Sequence, residues 1–157
     1  GSILPRATDD VDEKHTEWIA RIIRNNIADR DDAILIMGLS YKPGTDIVTS
    51  SQGVRLISSL GEELNLICHD PDAISNAEEE LNDGGVDFEP NLKRALRNAD
   101  VAVLSTPWDE YTERGVYTNK EIILIDPWRV FSEHDSFEGF EYLPLGRWNS
   151  RQWPYSS

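Results

Sequence analysis

The sequence predicts an α/β fold: a Rossmann-like three-layer sandwich, with a mostly parallel sheet of five to six strands and helices on both faces. The first observation is the apolar run at residues 33–37, whose length and β-branched residues are typical of a buried parallel strand. The second is that such runs alternate along the chain with segments of helical periodicity. Alternation of this kind favours parallel strands joined by helical crossovers.

The individual elements follow from short apolar runs and from helix start and stop signals. Ser50 or Ser51 can cap the first helix after the opening strand, and Gly61 lies just past its end. The predicted strands are 33–37, 64–69, 86–88, 101–104, 122–125 and 140–143, and the predicted helices between them are 51–60, 73–82, 92–99 and a short one through Tyr111.

Four segments are predicted along the chain. Residues 1–9 form an extended lead-in that opens with a Gly-Ser pair typical of a cleavage scar, and residues 10–28 form a helix. Residues 33–146 form the α/β domain, and residues 147–157 form an aromatic tail that stacks on a ligand or partner or, as we favour, folds back over the sheet. The apolar stripe of the 10–28 helix packs either on this sheet or on an upstream domain or second subunit.

Composition excludes several classes of function. A formal net charge of −14 argues against nucleic acid and anionic membrane surfaces as partners. The acidic balance indicates solubility, with adaptation to salt as the alternative. A single cysteine, Cys68, allows no internal disulfide and favours a cytoplasmic location, and its apolar surroundings indicate a buried side chain rather than a nucleophile.

Polar side chains follow three of the predicted strands, and in a parallel sheet these strand ends meet at one edge, where ligands bind. They are Tyr41, Lys42, Thr45 and Asp46 after the first strand, Thr106, Trp108 and Asp109 after the fourth, and Asp126 and Arg129 after the fifth. Two cations on so acidic a chain indicate an anionic ligand, with an aromatic ring against its base or sugar. The alternative is that Lys42 pairs with Asp46 and Arg129 with Asp126.

Several chemistries have no counterpart in the sequence. It contains no Ser-His-Asp set, no Cys/His cluster with metal-ligand spacing, no Walker sequence and no G-x-G-x-x-G. We therefore assign no catalytic residue, no cofactor-binding residue and no metal ligand to this chain. Asp70, at the end of the second strand, has the position of a ribose-binding acid, but a turn or cap residue is the better interpretation.

Four motifs, in order and correctly spaced over residues 33–131, resemble those of one family. Residues 38–46 resemble G-x-x-[FY]-K-x-x-T-D, and residues 69–71 resemble Y-D-P. Residues 99–111 resemble A-D-A-x-V-x-x-T-x-W-x-x-[FY], and residues 125–131 resemble D-x-R-x-[FL]. The family is that of the UDP-glucose/GDP-mannose dehydrogenases, and the motifs belong to its C-terminal, UDP-binding domain. Residues 10–28 are similar to the helix that leaves the family's central dimerisation domain.

The resemblance implies a role in binding. These NAD-dependent oxidoreductases convert the C6 alcohol of a nucleotide sugar into the carboxylate of a uronic acid, for polysaccharide biosynthesis. An upstream domain binds NAD, and the catalytic cysteine is also upstream and is not matched by Cys68. Lys42 and Arg129 match the residues that contact the nucleotide sugar, and Tyr41 adjoins Lys42. The implied partners are a UDP-sugar, the upstream NAD-binding and central domains, and a second subunit in a homodimer.

The sequence also departs from the family. Where the family continues T-D-D-x-R-E-S, residues 45–51 read T-D-I-V-T-S-S, which changes the charge of the substrate loop. Our first hypothesis is the nucleotide-sugar-binding domain of a 6-dehydrogenase that is inactive alone. The alternatives are a stand-alone binding or regulatory module without catalysis, and a degenerate dinucleotide-binding domain that uses Asp70.

Overall fold

The computed structural model describes residues 3–82, 85–112, 121–131 and 140–146, with side chains from Asp12 onward. The strands are β1 Ala33–Met37, β2 Asn65–His69, β3 Val86–Phe88, β4 Val101–Leu104, β5 Ile122–Asp126 and β6 Phe140–Pro144. They form a six-stranded sheet in the order β3-β2-β1-β4-β5-β6, and every pairing is parallel. The predicted parallel α/β sheet is therefore confirmed.

Helices cover both faces of this sheet. They are α1 Ile3–Asn25, α2 Gln52–Leu60, α3 Ile74–Leu81, α4 Leu92–Asn98 and α5 Asp109–Thr112. Alternate residues of β1 divide between two cores, since Ile34 and Ile36 pack with α1, α2 and α3, whereas Leu35 and Met37 pack with α4 and α5. This confirms the predicted three layers, and it explains why β1 is apolar at every position.

The first helix is longer than the sequence predicts. The extended conformation expected for residues 3–9 is wrong, because α1 begins at Ile3 and continues unbroken to Asn25. The extended conformation was expected because of Pro5. Pro5 lies in the first turn of α1, where the missing N–H has no intrahelical acceptor to lose. Residues 147–157, the predicted aromatic tail, lie outside the described residues.

The apolar stripe of α1 packs on this domain's own core. Ile19, Ala20 and Ile23 are fully buried, and they belong to the same cluster as Leu56 and Leu60 of α2. Of the two interpretations left open by the sequence, packing within the chain is the one observed. The pairing of α1 with α2 brings the polar side of α1 to the edge of the sheet where β1 ends.

The start and end of α2 are fixed by the residues expected from the sequence. The Ser51 hydroxyl accepts a hydrogen bond from the Val54 N–H at 3.1 Å, and Gly61 follows the helix with φ 76°.

None of the described helices combines the length and hydrophobicity needed to cross a bilayer. Within the same residues, no three His, Cys, Asp or Glu side chains gather as a metal ion would require.

Candidate functional site

The site is built at the carboxyl-terminal edge of the sheet, where the strand order reverses. The chain proceeds from β1 to β2 in one direction across the sheet and from β4 to β5 in the other. The loops after β1 and β4 therefore diverge, and open sheets of this kind bind ligands in the crevice between such loops.

The loop after β1 presents Tyr41 and Lys42 to solvent. Leu39 and Val48 are buried and anchor its two ends. Between them the Tyr41 N–H donates to the Ile47 carbonyl at 2.6 Å, which closes a compact turn. The Tyr41 side chain is 59% exposed. The loop thus holds an aromatic ring and a cation on a fixed backbone.

The predicted rim contacts Thr45 and Asp46 lie in this turn. The Thr45 hydroxyl accepts from the Ile47 N–H at 3.2 Å, and the Asp46 carbonyl accepts from the Asn76 amide at 2.8 Å. The alternative ion pair between Lys42 and Asp46 is not formed. Among the described residues, no carboxylate lies within 4.0 Å of the Lys42 ammonium.

Close backbone contacts explain why glycines stand at two positions near this loop. Gly38 has φ 109°, and a Cβ there would overlap Thr106 at the end of β4. A Cβ on Gly53 would overlap the Gly38 carbonyl oxygen, to which the Ser105 hydroxyl also donates. The start of α2 and the loops after β1 and β4 are therefore in direct contact.

Asp70 ties together three loops at this edge. The carboxylate is only 3% exposed. Its donors are the N–H groups of Leu39 (2.7 Å), Ser40 (3.0 Å), Asp72 (2.9 Å) and Ala73 (2.8 Å), the Ser40 hydroxyl (3.0 Å) and the Trp108 indole (3.1 Å). The prediction that Asp70 is a turn residue before the next helix is confirmed, and the structure adds its bonds to the loops after β1 and β4.

The polar groups that follow β4 support the loop after β1. The Thr106 hydroxyl donates to the Ser40 carbonyl at 2.7 Å. The Trp108 indole N–H is shared between the Ser40 hydroxyl, at 2.9 Å, and Asp70. Asp109 is exposed and opens α5. Trp108, predicted at the rim, thus uses its donor within the protein and offers a ligand only its ring.

Asp126 organises the turn after β5. The side chain is fully buried, and its oxygens accept from the Trp128 N–H at 3.0 Å, the Phe131 N–H at 3.3 Å and the Tyr142 hydroxyl at 2.7 Å. Burial and this hydrogen bond raise the pKa of Tyr142, so the hydroxyl keeps its proton. Asp126 was predicted as a possible rim contact, and in this structure its carboxylate has no accessible surface.

The same turn positions Trp128 and Arg129. Trp128 is 49% exposed, and its indole N–H donates to the Ser105 carbonyl at 3.1 Å. Arg129 has φ 51°, the left-handed region that a non-glycine residue seldom adopts. Its guanidinium donates to the Leu145 carbonyl at 3.0 Å, which directs the side chain toward the segment after β6.

A cleft of about 370 Å³ brings one group of these residues together with α1 and α2. Its lining residues are Asp12, His15, Thr16, Tyr41, Lys42, Ser50, Gln52, Arg55 and Trp128. The lining thus includes two cations, Lys42 and Arg55, one carboxylate, Asp12, and two exposed aromatic rings. Arg129 is not among the described residues that line this cleft, so the structure does not bring the two predicted cations together there.

Sequence reasoning missed the contributions of α1 and α2. Arg55 could have been found, because it stands four residues after Ser51 and so lies over the first turn of α2. His15 and Gln52 had no sequence signal, since their approach, at 3.5 Å between Nδ1 and Nε2, depends on how the two helices pack. Burial lowers the pKa of His15 despite the opposing charge of Asp12, so the ring adds no charge at neutral pH.

A second buried group lies beneath the site. His69 Nδ1 lies 2.7 Å from the Tyr111 hydroxyl, and Tyr111 is fully buried. Cys68 beside it has no exposed surface, and burial raises the pKa of its thiol. The prediction that Cys68 is a core residue is confirmed.

The fold and this edge together define an open, parallel α/β domain with a cationic, aromatic-lined cleft. Residues 35–133 match the family model described as the UDP-glucose/GDP-mannose dehydrogenase family, UDP binding domain. The chain therefore belongs to this family, as the four motifs had indicated.

The relatives that match this chain include UDP-glucose 6-dehydrogenases, and a solved structure shares its fold. The chain is 30% identical over 145 residues to UDP-glucose 6-dehydrogenase AglM of Haloferax volcanii, covering 90% of this chain and 33% of the relative. It is 28% identical to UDP-glucose 6-dehydrogenase TuaD of Bacillus subtilis, covering 73% and 26%. A UDP-glucose dehydrogenase from Pyrobaculum islandicum shares the fold, with TM-score 0.68, 22% identity and coverage of 90% and 30%. The chain thus spans about a third of the length of these relatives.

Proposed function

We propose that this chain binds the nucleotide sugar, most simply a UDP-sugar, for an NAD-dependent nucleotide-sugar 6-dehydrogenase. The observation that carries the proposal is the position of Lys42, whose ammonium has no carboxylate partner among the described residues and lines a cleft beside two exposed rings. A cation without a carboxylate partner in the described part of the chain, in a cleft that two aromatic rings also line, suits a ligand with phosphates at one end and a base or sugar ring at the other.

Each predicted residue has a distinct part in this proposal. Lys42 acts as a mobile point charge on the diphosphate, and Tyr41 packs on a ring of the ligand. Arg129 offers a planar fork at the neighbouring turn, where the left-handed backbone is the kind of strain found at binding sites. Thr45, Asp46 and the ring of Trp108 form the surrounding surface, whereas Asp126 holds the turn from beneath.

The residues of this chain do not fit NAD. The loop after β1 has no glycine-rich cradle for a pyrophosphate. Asp70 occupies the position of the ribose-binding acid, but it is 3% exposed and all its hydrogen bonds come from the protein itself. The hypothesis of a degenerate dinucleotide-binding domain is therefore not supported. We propose instead that NAD is bound by an upstream domain that is not part of this chain.

We propose that this chain belongs to a longer enzyme, because the relatives are UDP-glucose 6-dehydrogenases of about three times this length. In it, upstream NAD-binding and central domains would supply the cofactor and the catalytic groups, and oxidation of the sugar C6 alcohol to a carboxylate would follow. A single buried cysteine suits the cytoplasm, where we place this reaction. The part of this chain is to bind and orient the nucleotide sugar.

Calorimetric titration with UDP, UDP-glucose, GDP-mannose and NAD tests the proposal. We expect the chain to bind one nucleotide sugar and its diphosphate but not NAD. Lys42→Ala should weaken binding about 10-fold or more, because it removes charge-assisted hydrogen bonds of roughly 1.5–3 kcal/mol. The matched control is Lys93→Ala, an exposed lysine on α4. Binding of NAD alone, or equal affinities for the two variants, would contradict the proposal.

A further inference from the structure

Arg55 lines the same cleft as Lys42, although it lies outside the family motifs and comes from α2. Its side chain is 28% exposed, so it is partly covered by protein. The guanidinium donates no hydrogen bond to any residue in the described part of the chain. Its N–H donors are therefore not used within the described residues and are available to an anionic ligand in the cleft.

The one charged partner of Arg55 among the described residues is Asp12 of α1, at 3.9 Å. A charge-assisted hydrogen bond of this type is about 2.7–2.9 Å long. The contact is therefore an attraction at a distance, not a formed hydrogen bond. Asp12 is also half-exposed, at 49%, so water can replace Arg55 as its partner when the guanidinium turns away.

Gln52, which also lines this cleft, provides a second and independent observation. Its Oε1 atom is buried and has no hydrogen-bond partner among the residues that the structure describes. Exchanging the two ends of the amide would leave a buried donor in place of the acceptor, so one polar atom stays unsatisfied either way. Natural proteins rarely leave such atoms unpaired, and the hydroxyl or ring N–H groups of a nucleotide supply both donors and acceptors.

The charge of the cleft fits a diphosphate. Lys42 and Arg55 contribute two positive charges and Asp12 one negative, and burial keeps His15 neutral. The amino-terminal end of α2, with Ser51 as its cap, adds the partial positive charge of the helix dipole on the same side. Within a chain of net charge −14, this is a local site of the opposite sign.

We propose that Arg55 is the second cation of the diphosphate site, opposite Lys42, and that Asp12 holds Arg55 in the free protein and competes with the ligand for it. This inference rests on the proposed function and adds to it a residue that the family motifs do not contain.

The test uses variants of the full chain and titration with UDP. Arg55→Ala should weaken UDP binding about 10-fold or more. Arg55→Lys keeps the positive charge and should therefore bind UDP more tightly than Arg55→Ala but less tightly than the unsubstituted chain. Asp12→Asn should strengthen binding about threefold, because it removes the competing carboxylate. The control is Arg94→Ala, which breaks a similar ion pair, with Glu89 at 3.7 Å, on the opposite face of the sheet. Thermal unfolding of each variant establishes that it is folded.

The opposite directions of the Arg55 and Asp12 effects separate this proposal from a structural ion pair, whose loss from either side would act alike. If Arg55→Ala binds UDP as the Arg94 control does while Lys42→Ala is impaired, the inference about Arg55 is overturned and the proposed function stands. If Asp12→Asn weakens binding as much as Arg55→Ala does, the pair is structural. If the unsubstituted chain binds neither UDP nor a nucleotide sugar, both proposals are overturned.

Discussion

Trp108 donates its indole N–H to the carboxylate of Asp70 at 3.1 Å, and this bond joins the loops that follow β4 and β2. The Ser40 hydroxyl, 2.9 Å from the same indole nitrogen, brings the loop after β1 into the contact. The three loops that surround the switch point of the sheet therefore share one buried carboxylate. Their relative positions, and with them the position of Lys42, depend on that carboxylate.

Asp70→Asn should destabilise the fold by about 2–4 kcal/mol, because an amide nitrogen would face N–H donors that now bond to a carboxylate oxygen. Trp108→Phe removes a single donor and should cost about 1 kcal/mol. Urea unfolding followed by circular dichroism measures both, with Asp72→Asn, an exposed carboxylate beside the same turn, as the control. Equal stability of Asp70→Asn and Asp72→Asn would show that Asp70 does not organise these loops.

Gly38→Ala should be strongly destabilising, by about 3 kcal/mol or more, because it combines a left-handed backbone with a methyl group that overlaps Thr106. The matched control is Gly44→Ala, where φ is 86° but nothing lies within 4 Å of the added carbon. Backbone strain alone predicts about 1–2 kcal/mol there. The difference between the two free energies of unfolding measures the cost of the overlap with Thr106, where the loops after β1 and β4 come close together. A Gly38 variant no less stable than the Gly44 variant would refute that account.

The stability of the protein should fall as pH drops below the ordinary histidine pKa of about 6.5. Burial lowers the pKa of His69, outweighing the opposing effects of Asp70, the hydrogen bond to Pro90 and Glu89. The unfolded chain then binds more protons than the folded chain in this window, so protonation favours unfolding. His15 acts in the same direction.

Urea midpoints measured between about pH 7 and pH 5 test this, because most carboxylates stay ionised there. His69→Gln should flatten the slope of stability against pH, and His15→Gln should remove a separate share. An unchanged slope in His69→Gln would mean that the burial of His69 does not contribute to the dependence of stability on pH.

Tyr142→Phe should loosen the turn after β5, because the Tyr142 hydroxyl lies 2.7 Å from the Asp126 carboxylate and 2.9 Å from the Phe131 carbonyl. We expect a loss of about 1 kcal/mol in stability and weaker UDP-sugar binding through a displaced Arg129. Calorimetry and thermal unfolding of the same sample distinguish the two effects. If stability falls while affinity stays the same, the turn does not position a ligand contact.

Most of the architecture could be predicted because it depends on local pattern. The five residues of β1 are buried at every position, and a buried parallel strand reads as an uninterrupted apolar run. Ser51 and Gly61 mark the ends of α2 through hydrogen bonding and backbone conformation within a few residues of the chain. The start of α1 was missed because Pro5 is as compatible with a first helical turn as with an extended segment.

The candidate site likewise depends partly on local sequence and partly on contacts between distant parts of the chain. The sequence by itself determined that the polar loops after β1, β4 and β5 meet at one edge, since parallel strands all point the same way, and it placed Tyr41 and Lys42 at that edge. Only the tertiary structure decided which of these groups remain available. Asp126 and the Trp108 indole N–H are already hydrogen-bonded within the protein, to partners up to 68 residues away in the sequence. The tertiary structure alone brought Asp12, Gln52 and Arg55 into the cleft, because the packing of α1 on α2 is set by side-chain contacts across the chain.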